Sequence, residues 1–187
     1  NFLVLFGADT TAMVKERAEA EAAATKATNL GQGFPDWDLP EFVKDSLRET
    51  VDSQFHQYTR PAGHPALVDL LASRYSMHLE RNIDPMHEVA ITVGASQALY
   101  LALLTLIKPG DEVIVPAVTF VATSNIVIQS NMKPVFVDVE PTFYELDPDK
   151  IEQAISKKTR CIIPVHLFGS PCEMDKVMQI ANKHKLR

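Results

Sequence analysis

Short apolar runs alternate with segments of helical length along the chain from Glu88 onward. Four runs have the length and composition of buried strands: VAITV, EVIVP, PVFVDV and CIIPVHLF. A helix is predicted after each of them, over residues 96–107, 118–130, 147–155 and 173–185. Strands that alternate with helices are joined by right-handed crossovers and lie parallel in one sheet. The alternation therefore predicts an α/β fold with a mostly parallel sheet.

The first part of the chain has a different pattern, in which predicted helices are separated by loops rich in Gly and Pro. Residues 10–28 are rich in Ala, Glu and Lys and predict a helix, whereas residues 29–40, NLGQGFPDWDLP, are typical of a loop. Two shorter helices are predicted over residues 41–50 and 66–79, and Pro65 opens the second of them. This pattern predicts a helical arm ahead of the sheet.

Composition and charge argue against several classes of protein. Of the 187 residues, 46% are hydrophobic and 22% are charged, as in soluble globular domains, and no apolar run reaches the length of a membrane span. The net charge of −6 argues against nucleic acid or an anionic membrane as a partner. A cytoplasmic location is the default expectation. Because the chain begins without Met and stops inside a predicted helix, we expect it to be a piece of a longer protein.

The turn Gly94-Ala95-Ser96, between the first predicted strand and its helix, has the composition of an anion site. Gly94 allows a sharp turn, and the small residues after it leave their N–H groups open to close approach. Backbone donors in the first turn of a helix lack partners, and the helix dipole is positive there. A phosphate would bind these donors, with the Ser96 hydroxyl as one more. The alternative is structural: Gly94 turns the chain and Ser96 caps the helix.

Two further side chains follow predicted strands, at the edge where ligands of such sheets gather. Phe120 comes just after EVIVP and offers a ring face for stacking a flat heterocycle; the alternative is a core aromatic on the following helix. His166 lies near the end of CIIPVHLF and is either a contact to a cofactor or a hydrogen-bonded structural residue. The residues alone leave both alternatives open.

Several familiar sites are absent from the sequence. It contains neither the NTP-binding motif G-x-x-x-x-G-K-[ST] nor the dinucleotide-binding motif G-x-G-x-x-G. Their absence argues against an NTP-binding enzyme and against an NAD-binding enzyme such as a dehydrogenase. It contains no G-x-S-x-G motif of hydrolases, and its six histidines form no metal-ligand pattern. Cys161 opens an apolar run, which favours a reduced, buried thiol over a disulfide or a reactive pair with Cys172.

Longer motifs resemble aminotransferases that use pyridoxal 5′-phosphate. Within residues 25–105, NLGQGFPDWDLPEFV, QYTRPAGHPALVDLLASRYS and IDPMHEVAITVGASQALYLAL are similar to class I/II aminotransferases, most closely the kynurenine, glutamine and methionine aminotransferase group. Residues 111–187, which include GDEVIVPAVTFVAT and CIIPVHLFGSP, resemble instead the DegT/DnrJ/EryC1 family of sugar aminotransferases. Both groups share the aspartate-aminotransferase fold, fold type I, and the two segments meet in register.

The resemblance implies a fold and a cofactor. The fold is the three-layer, mostly parallel sheet of the large domain of fold type I, of which residues 51–187 would be the N-terminal part. Residues 1–50 would form an arm and a loop that faces the substrate. The cofactor is pyridoxal 5′-phosphate, and no metal is implied.

The resemblance also assigns roles to the residues at the strand ends. Gly94, Ala95 and Ser96 match the turn that holds the cofactor phosphate, through backbone donors and the serine hydroxyl. Phe120, in PAVTFVAT, matches an aromatic residue that stacks on the pyridine ring. His166 matches a residue near the face of that ring.

Two implied roles fall in the first part of the chain. Tyr58, in QYT, matches a tyrosine that reaches the cofactor phosphate of the other subunit, which implies a homodimer. Gly33, in GQGFPD, matches the loop that contacts the carboxylate of the substrate. In these families the aspartate at the pyridine nitrogen, the Schiff-base lysine and the arginine at the substrate carboxylate come later than residue 187. No lysine of this chain lies in a matching motif, so no catalytic residue is predicted.

Three functional hypotheses remain open. The first is transfer of an amino group from an amino acid to a 2-oxo acid, favoured because the loop at Gly33 resembles amino-acid aminotransferases. The second is transfer to a nucleotide-linked keto-sugar, as the resemblance of residues 111–187 implies. The third is a truncated, designed or mosaic piece of the fold that does not catalyse.

Overall fold

The computed structural model describes residues 20, 24, 37–53 and 55–187. The chain divides into two compact units, Asn1–Tyr58 and Thr59–Arg187. The predicted helix over residues 10–28 and most of the predicted loop over residues 29–40 lie outside the described residues, apart from single positions. The predicted boundary between an arm and a cofactor domain at residue 50 stays a prediction.

The described part of the first unit contains helix α1, Glu41–Asp52, which confirms the helix predicted over residues 41–50. Its side chains are largely exposed, and ion pairs run along its surface. The guanidinium of Arg48 lies 2.5 Å from the Asp45 carboxylate and 3.1 Å from the Glu41 carboxylate. Pairs of opposite charge at this spacing stabilise a helix modestly.

The second unit contains the predicted alternation of helices and strands. It contains a parallel sheet in the order β2-β1-β3, five α-helices and a short 3₁₀ helix. The elements are α2 (Pro65–His78), α3 (Gly94–Leu106), β1 (Glu112–Pro116), α4 (Ala122–Gln129), β2 (Lys133–Val137), α5 (Pro148–Ala154), β3 (Thr159–Ile162), the 3₁₀ helix (Leu167–Gly169) and α6 (Met174–His184). The prediction of an α/β fold with a parallel sheet is confirmed.

The centre of the sheet is β1, which pairs with a strand on each side. Ile114 lies opposite Val135 of β2 and Ile162 of β3. Both faces of β1 are buried, because alternate side chains enter two separate cores. Val113 and Val115 pack with α3 and α4, whereas Ile114 packs with α5 and α6. The unit therefore has three layers, helix, sheet and helix, as predicted.

The strand predicted over VAITV, residues 89–93, is wrong: no strand of the described residues includes this segment. The Ile91 N–H donates to the Ala62 carbonyl at 2.9 Å, in the loop before α2 and not in a strand. An apolar run becomes a strand only if a neighbouring strand pairs with it along its length. Here β2, β1 and β3 pair only with one another, so the run stays irregular.

Two other elements are shorter than predicted. Helix α4 begins at Ala122 instead of residue 118, because the chain bends over residues 117–119 after β1, with the Ala117 N–H bonded to the Val137 carbonyl at 2.8 Å. Strand β3 ends at Ile162 although the apolar run continues. Pro164 has no N–H to donate and interrupts the ladder soon after this point.

The described residues give two findings on membranes and metals. None of the helices within residues 37–53 and 55–187 combines the length and apolarity needed to cross a membrane. The same residues hold no group of three or more His, Cys, Asp or Glu side chains arranged for a metal ion. Cys161 and Cys172 are both free and buried, so the predicted burial of Cys161 is confirmed, and burial raises the pKa of that thiol.

Gly63 and Ile91 are in close contact, which ties the segment after α2 to the loop before it. Gly63 has a φ of +115°, and a Cβ added there would lie 2.4 Å from Cγ1 and 2.9 Å from Cβ of Ile91. Both the backbone conformation and the lack of space therefore require glycine at this position.

We predict that Gly63→Ala lowers the free energy of unfolding by about 2–4 kcal/mol, since it adds overpacking to backbone strain. Gly110→Ala is the matched control, because Gly110 has a φ of +87° and nothing within 4 Å of an added Cβ. The control should lose only the strain component, about 1–2 kcal/mol. Urea denaturation of both variants measures the difference, and equal losses would show that the contact with Ile91 contributes nothing.

Glu112 is a buried carboxylate at the start of β1, with 8% of the residue exposed. It accepts hydrogen bonds from Ser156 Oγ at 2.5 Å and from Lys133 Nζ at 3.0 Å. The Ser156 hydroxyl, followed by the Lys133 ammonium, holds the pKa of this carboxyl below its ordinary value. The contacts join the beginnings of β1 and β2 to the turn before β3.

We predict that Glu112→Gln costs about 1–3 kcal/mol at neutral pH, because it weakens a buried, charged hydrogen-bond network. A carboxyl whose folded pKa is depressed contributes stability above its unfolded pKa and loses it as pH falls through the folded pKa. The difference between wild type and variant should therefore shrink below about pH 4. Urea titrations at several pH values measure it, with the exposed Asp69→Asn as control. A difference that stays constant down to acid pH would contradict the assignment.

Candidate cofactor site

Helix α3 begins with the turn that the sequence predicts to bind phosphate, so the position of this helix relative to the sheet matters. Leu103 of α3 and Ile107 just after it pack against Val113 and Val115 of β1. The turn after α3 leads directly into β1, so the helix runs antiparallel to the strand. The 13-residue α3 is about 20 Å long and the five-residue β1 about 17 Å. The first turn of α3 therefore lies near the end of β1.

The first turn of α3 is built by Gly94, Ala95 and Ser96. Gly94 has a φ of +81°, which turns the chain into the helix, and an added Cβ would meet nothing within 4 Å. The preceding Val93 is the cap residue, and its side chain forms no capping hydrogen bond. Ser96 is therefore not the helix cap that the structural alternative proposed.

The backbone donors of this turn divide into two groups. The Val93 N–H donates to Oε1 of Gln97 at 2.6 Å, and the Gly94 N–H donates to the Thr92 carbonyl at 3.0 Å. Within the described part of the chain, the N–H groups of Ala95 and Ser96 have no acceptor, and the Ser96 hydroxyl has no partner. Three donors are thus exposed and available to a ligand at the positive end of a helix.

The charge around this turn also suits an anion. Residues 91–107 contain no Asp or Glu, and α3 has no acidic residue in its first turn. A negatively charged side chain there would otherwise occupy the donors and offset the dipole. The turn therefore fits the phosphate of a cofactor.

Phe120 follows β1 in the segment that leads to α4. Its side chain is 76% exposed, so it is not the core aromatic of the structural alternative. The neighbouring Thr119 is tied to the start of α4, because its Oγ1 lies 3.2 Å from Oγ1 of Thr123. An exposed ring at a strand end is available for stacking on a flat ligand.

His166 follows β3, the strand beside β1, so it emerges at the same edge as Phe120. Its Nδ1 accepts a hydrogen bond from the Cys172 N–H at 3.0 Å, which makes it a hydrogen-bonded residue. The ring is nevertheless exposed, so one nitrogen is held by the protein and the other is available. Phe168, two residues later, has a φ of +55°, and this conformation accompanies the sharp 3₁₀ turn.

The remaining predicted residues are placed as follows. Tyr58 is the last residue of the first unit, and its side chain is fully exposed. Gly33 lies outside the described residues. The strand order thus places Phe120 and His166 after the carboxyl ends of adjacent strands, and the first turn of α3 is expected near the same edge from the lengths of α3 and β1. The contact of Cys172 with His166 was not predicted, because a backbone N–H leaves no signal in the sequence.

Two curated relatives represent the two kinds of aminotransferase that the sequence resembles. The chain is 37% identical over 154 residues to kynurenine–oxoglutarate transaminase 3 of Mus musculus, a match that covers 76% of this chain and 34% of the relative. It is 48% identical over 113 residues to UDP-N-acetyl-3-dehydro-alpha-D-glucosamine 3-aminotransferase of Acidithiobacillus ferrooxidans, which covers 58% of this chain and 31% of the relative. The chain spans about a third of the length of these two relatives.

The comparison with solved structures agrees with the fold. A single mutant of the aspartate aminotransferase of Thermus thermophilus superposes with a TM-score of 0.75 at 28% identity, covering 94% of this chain and 48% of that one. The prediction of the aspartate-aminotransferase fold is confirmed. Residues 73–187, more than half of the chain, match the DegT/DnrJ/EryC1/StrS aminotransferase family, and the chain belongs to that family.

Proposed function

We propose that the chain forms the phosphate-binding part of an aminotransferase that uses pyridoxal 5′-phosphate to move an amino group from an amino acid to a 2-oxo acid. The observation that carries the proposal is the set of unpaired donors on Ala95 and Ser96 at the start of an uncharged helix. Membership of the aminotransferase family supports the cofactor, since enzymes of this family depend on pyridoxal phosphate.

The residues at the strand ends have separate roles in this proposal. The N–H groups of Ala95 and Ser96 and the Ser96 hydroxyl bind the phosphate and anchor the cofactor. The ring of Phe120 covers one face of the pyridine and excludes water from it. His166 contacts the same ring from the neighbouring strand end. When bound, the cofactor accepts the amino group of the donor and passes it to the acceptor.

Two further roles extend beyond this edge and rest on the resemblance alone. Tyr58 reaches the phosphate bound by a second copy of the chain, so the active form is a homodimer. Gly33 lies in the loop that receives the substrate carboxylate. We favour a 2-oxo acid as the acceptor because the similarity to kynurenine–oxoglutarate transaminase 3 extends over 76% of this chain.

A keto-sugar acceptor is the second candidate, favoured by a specific observation. The family match covers residues 73–187, and a relative that acts on a UDP-linked dehydro-sugar is 48% identical over 113 residues. The sequence identity to this sugar aminotransferase is higher than the identity to kynurenine–oxoglutarate transaminase 3, but it extends over a shorter segment. The nature of the acceptor separates the two candidates.

We predict that Ser96→Ala weakens binding of pyridoxamine 5′-phosphate by about tenfold, the effect of losing one hydrogen bond to a charged group. This form of the cofactor carries an amine in place of the aldehyde, so its binding reports the pocket without a covalent bond to a lysine. Isothermal titration calorimetry measures the affinity. Ser73→Ala is the matched control, because Ser73 is an exposed serine on α2.

Pyridoxamine without its phosphate separates the phosphate contact from other contributions. Wild type should bind it more weakly than the phosphorylated form, and Ser96→Ala should not weaken it further. If wild type binds both forms equally, or neither of them, the phosphate site at α3 is wrong. A loss in Ser73→Ala equal to that in Ser96→Ala would also contradict it.

We predict that a protein in which this chain is joined to a segment carrying a Schiff-base lysine, supplied with pyridoxal phosphate and L-glutamate, forms 2-oxoglutarate when a 2-oxo acid is the acceptor. Nucleotide-linked keto-sugars are tested in parallel, and production of 2-oxoglutarate is measured by a coupled assay. Turnover with the keto-sugar alone would favour the second candidate. Cofactor binding with no turnover on either acceptor would favour a folded piece that does not catalyse.

A further inference from the structure

The loop after β3 folds back so that one residue contacts His166 and its neighbour. The Cys172 N–H donates to Nδ1 of His166 at 3.0 Å, and the Cys172 thiol donates to the Val165 carbonyl at 3.1 Å. Cys172 is 4% exposed, and both of these contacts are partly buried. The turn between them is closed by the Gly169 N–H, which donates to the His166 carbonyl at 3.1 Å.

The contact at Nδ1 determines which nitrogen of His166 carries the proton. A backbone N–H can only donate, so Nδ1 must accept and cannot itself be protonated. The neutral ring then has its proton on Nε2. In the described part of the chain, Nε2 of His166 has no hydrogen-bond partner. An exposed ring therefore presents an N–H donor at the carboxyl edge of the sheet.

We propose that Cys172 is a positioning residue, whose main-chain N–H holds His166 in the Nε2–H tautomer so that the ring donates a hydrogen bond to an oxygen of the cofactor. This inference rests on the proposed function. The side chain of Cys172 contributes differently, because its thiol binds the backbone next to His166 and keeps the loop closed. The positioning role belongs to the main-chain N–H of Cys172, so the identity of the side chain at this position gave no indication of it.

A hydrogen-bond donor at Nε2 of His166 and an acceptor at the same atom would affect cofactor binding in opposite ways. The pyridine ring of the cofactor carries an oxygen beside the reacting group, and an N–H donor stabilises negative charge on such an oxygen. An unprotonated nitrogen there would repel it. Fixing the tautomer before the ligand arrives removes the cost of reorganising the ring on binding.

The main test compares Cys172→Pro with Cys172→Ala. The proline variant lacks the backbone N–H, whereas the alanine variant keeps it and loses only the thiol. We expect Cys172→Pro to bind pyridoxamine 5′-phosphate about tenfold more weakly than Cys172→Ala. Nitrogen-15 NMR of the histidine rings should show an unprotonated Nδ1 on His166 in wild type and Cys172→Ala, and a mixture of tautomers in Cys172→Pro.

Substitutions of His166 keep the proposal testable if the proline variant does not fold. The amide nitrogen of Gln reaches the position of Nε2, whereas Asn reaches only the position of Nδ1. We expect His166→Gln to retain more of the affinity for pyridoxamine 5′-phosphate than His166→Asn, by about tenfold. A purely structural role predicts the reverse, because Asn can still accept from the Cys172 N–H. Thermal melts of both variants record that structural contribution separately.

The outcomes separate this inference from the proposed function. If Cys172→Pro binds as tightly as Cys172→Ala, or His166→Asn as tightly as His166→Gln, the positioning role is overturned. The phosphate site stands in that case, provided that Ser96→Ala still weakens binding. If wild type does not bind pyridoxamine 5′-phosphate at all, the proposed function fails and the role of His166 as a donor fails with it.

Discussion

The second unit depends on the pairing of β1 with a strand on each side. Both faces of β1 are buried, so its backbone groups find partners only in β2 and β3, and both of these run parallel to it. Parallel pairing forces the three strand ends to one edge of the sheet, and the crossover helices to begin there. Phe120 and His166 therefore follow the carboxyl ends of adjacent strands, although the chain separates them widely.

The two edges of the sheet have different electrostatic character. At the amino edge, Glu112 is paired with Lys133 and Asp111 with Arg160, and these charges hold the strand beginnings together. At the carboxyl edge, the segments after β1 and β3 are uncharged, and α3 adds only unpaired backbone donors. Asp138 and Glu140 follow β2 at this edge, and Asp138 pairs with Lys150, so the uncharged part of the edge is confined to the segments after β1 and β3. Because the donors are already in position, binding requires no rearrangement of the helix.

Much of the fold could be predicted from residue patterns, and the exceptions have physical reasons. Helices capped or opened by Pro65 and Pro148 were predicted closely, because their signals are local. The run VAITV was predicted as a strand because it is apolar, but pairing depends on a neighbour that periodicity does not reveal. In the candidate site, the turn at Gly94 could be predicted because its small residues form a recognisable pattern. The tautomer of His166 could not, because it depends on the backbone N–H of Cys172, and every residue type except proline has such a group.

The exposed donors on Ala95 and Ser96 have a practical consequence for handling the protein. Three donors at a helix start do not distinguish one tetrahedral anion from another, so sulfate or inorganic phosphate in a buffer competes for them. Purification in either salt would mask part of the affinity for a phosphorylated ligand and raise the melting temperature on its own. Chloride salts avoid a polyatomic oxyanion that would compete for these donors.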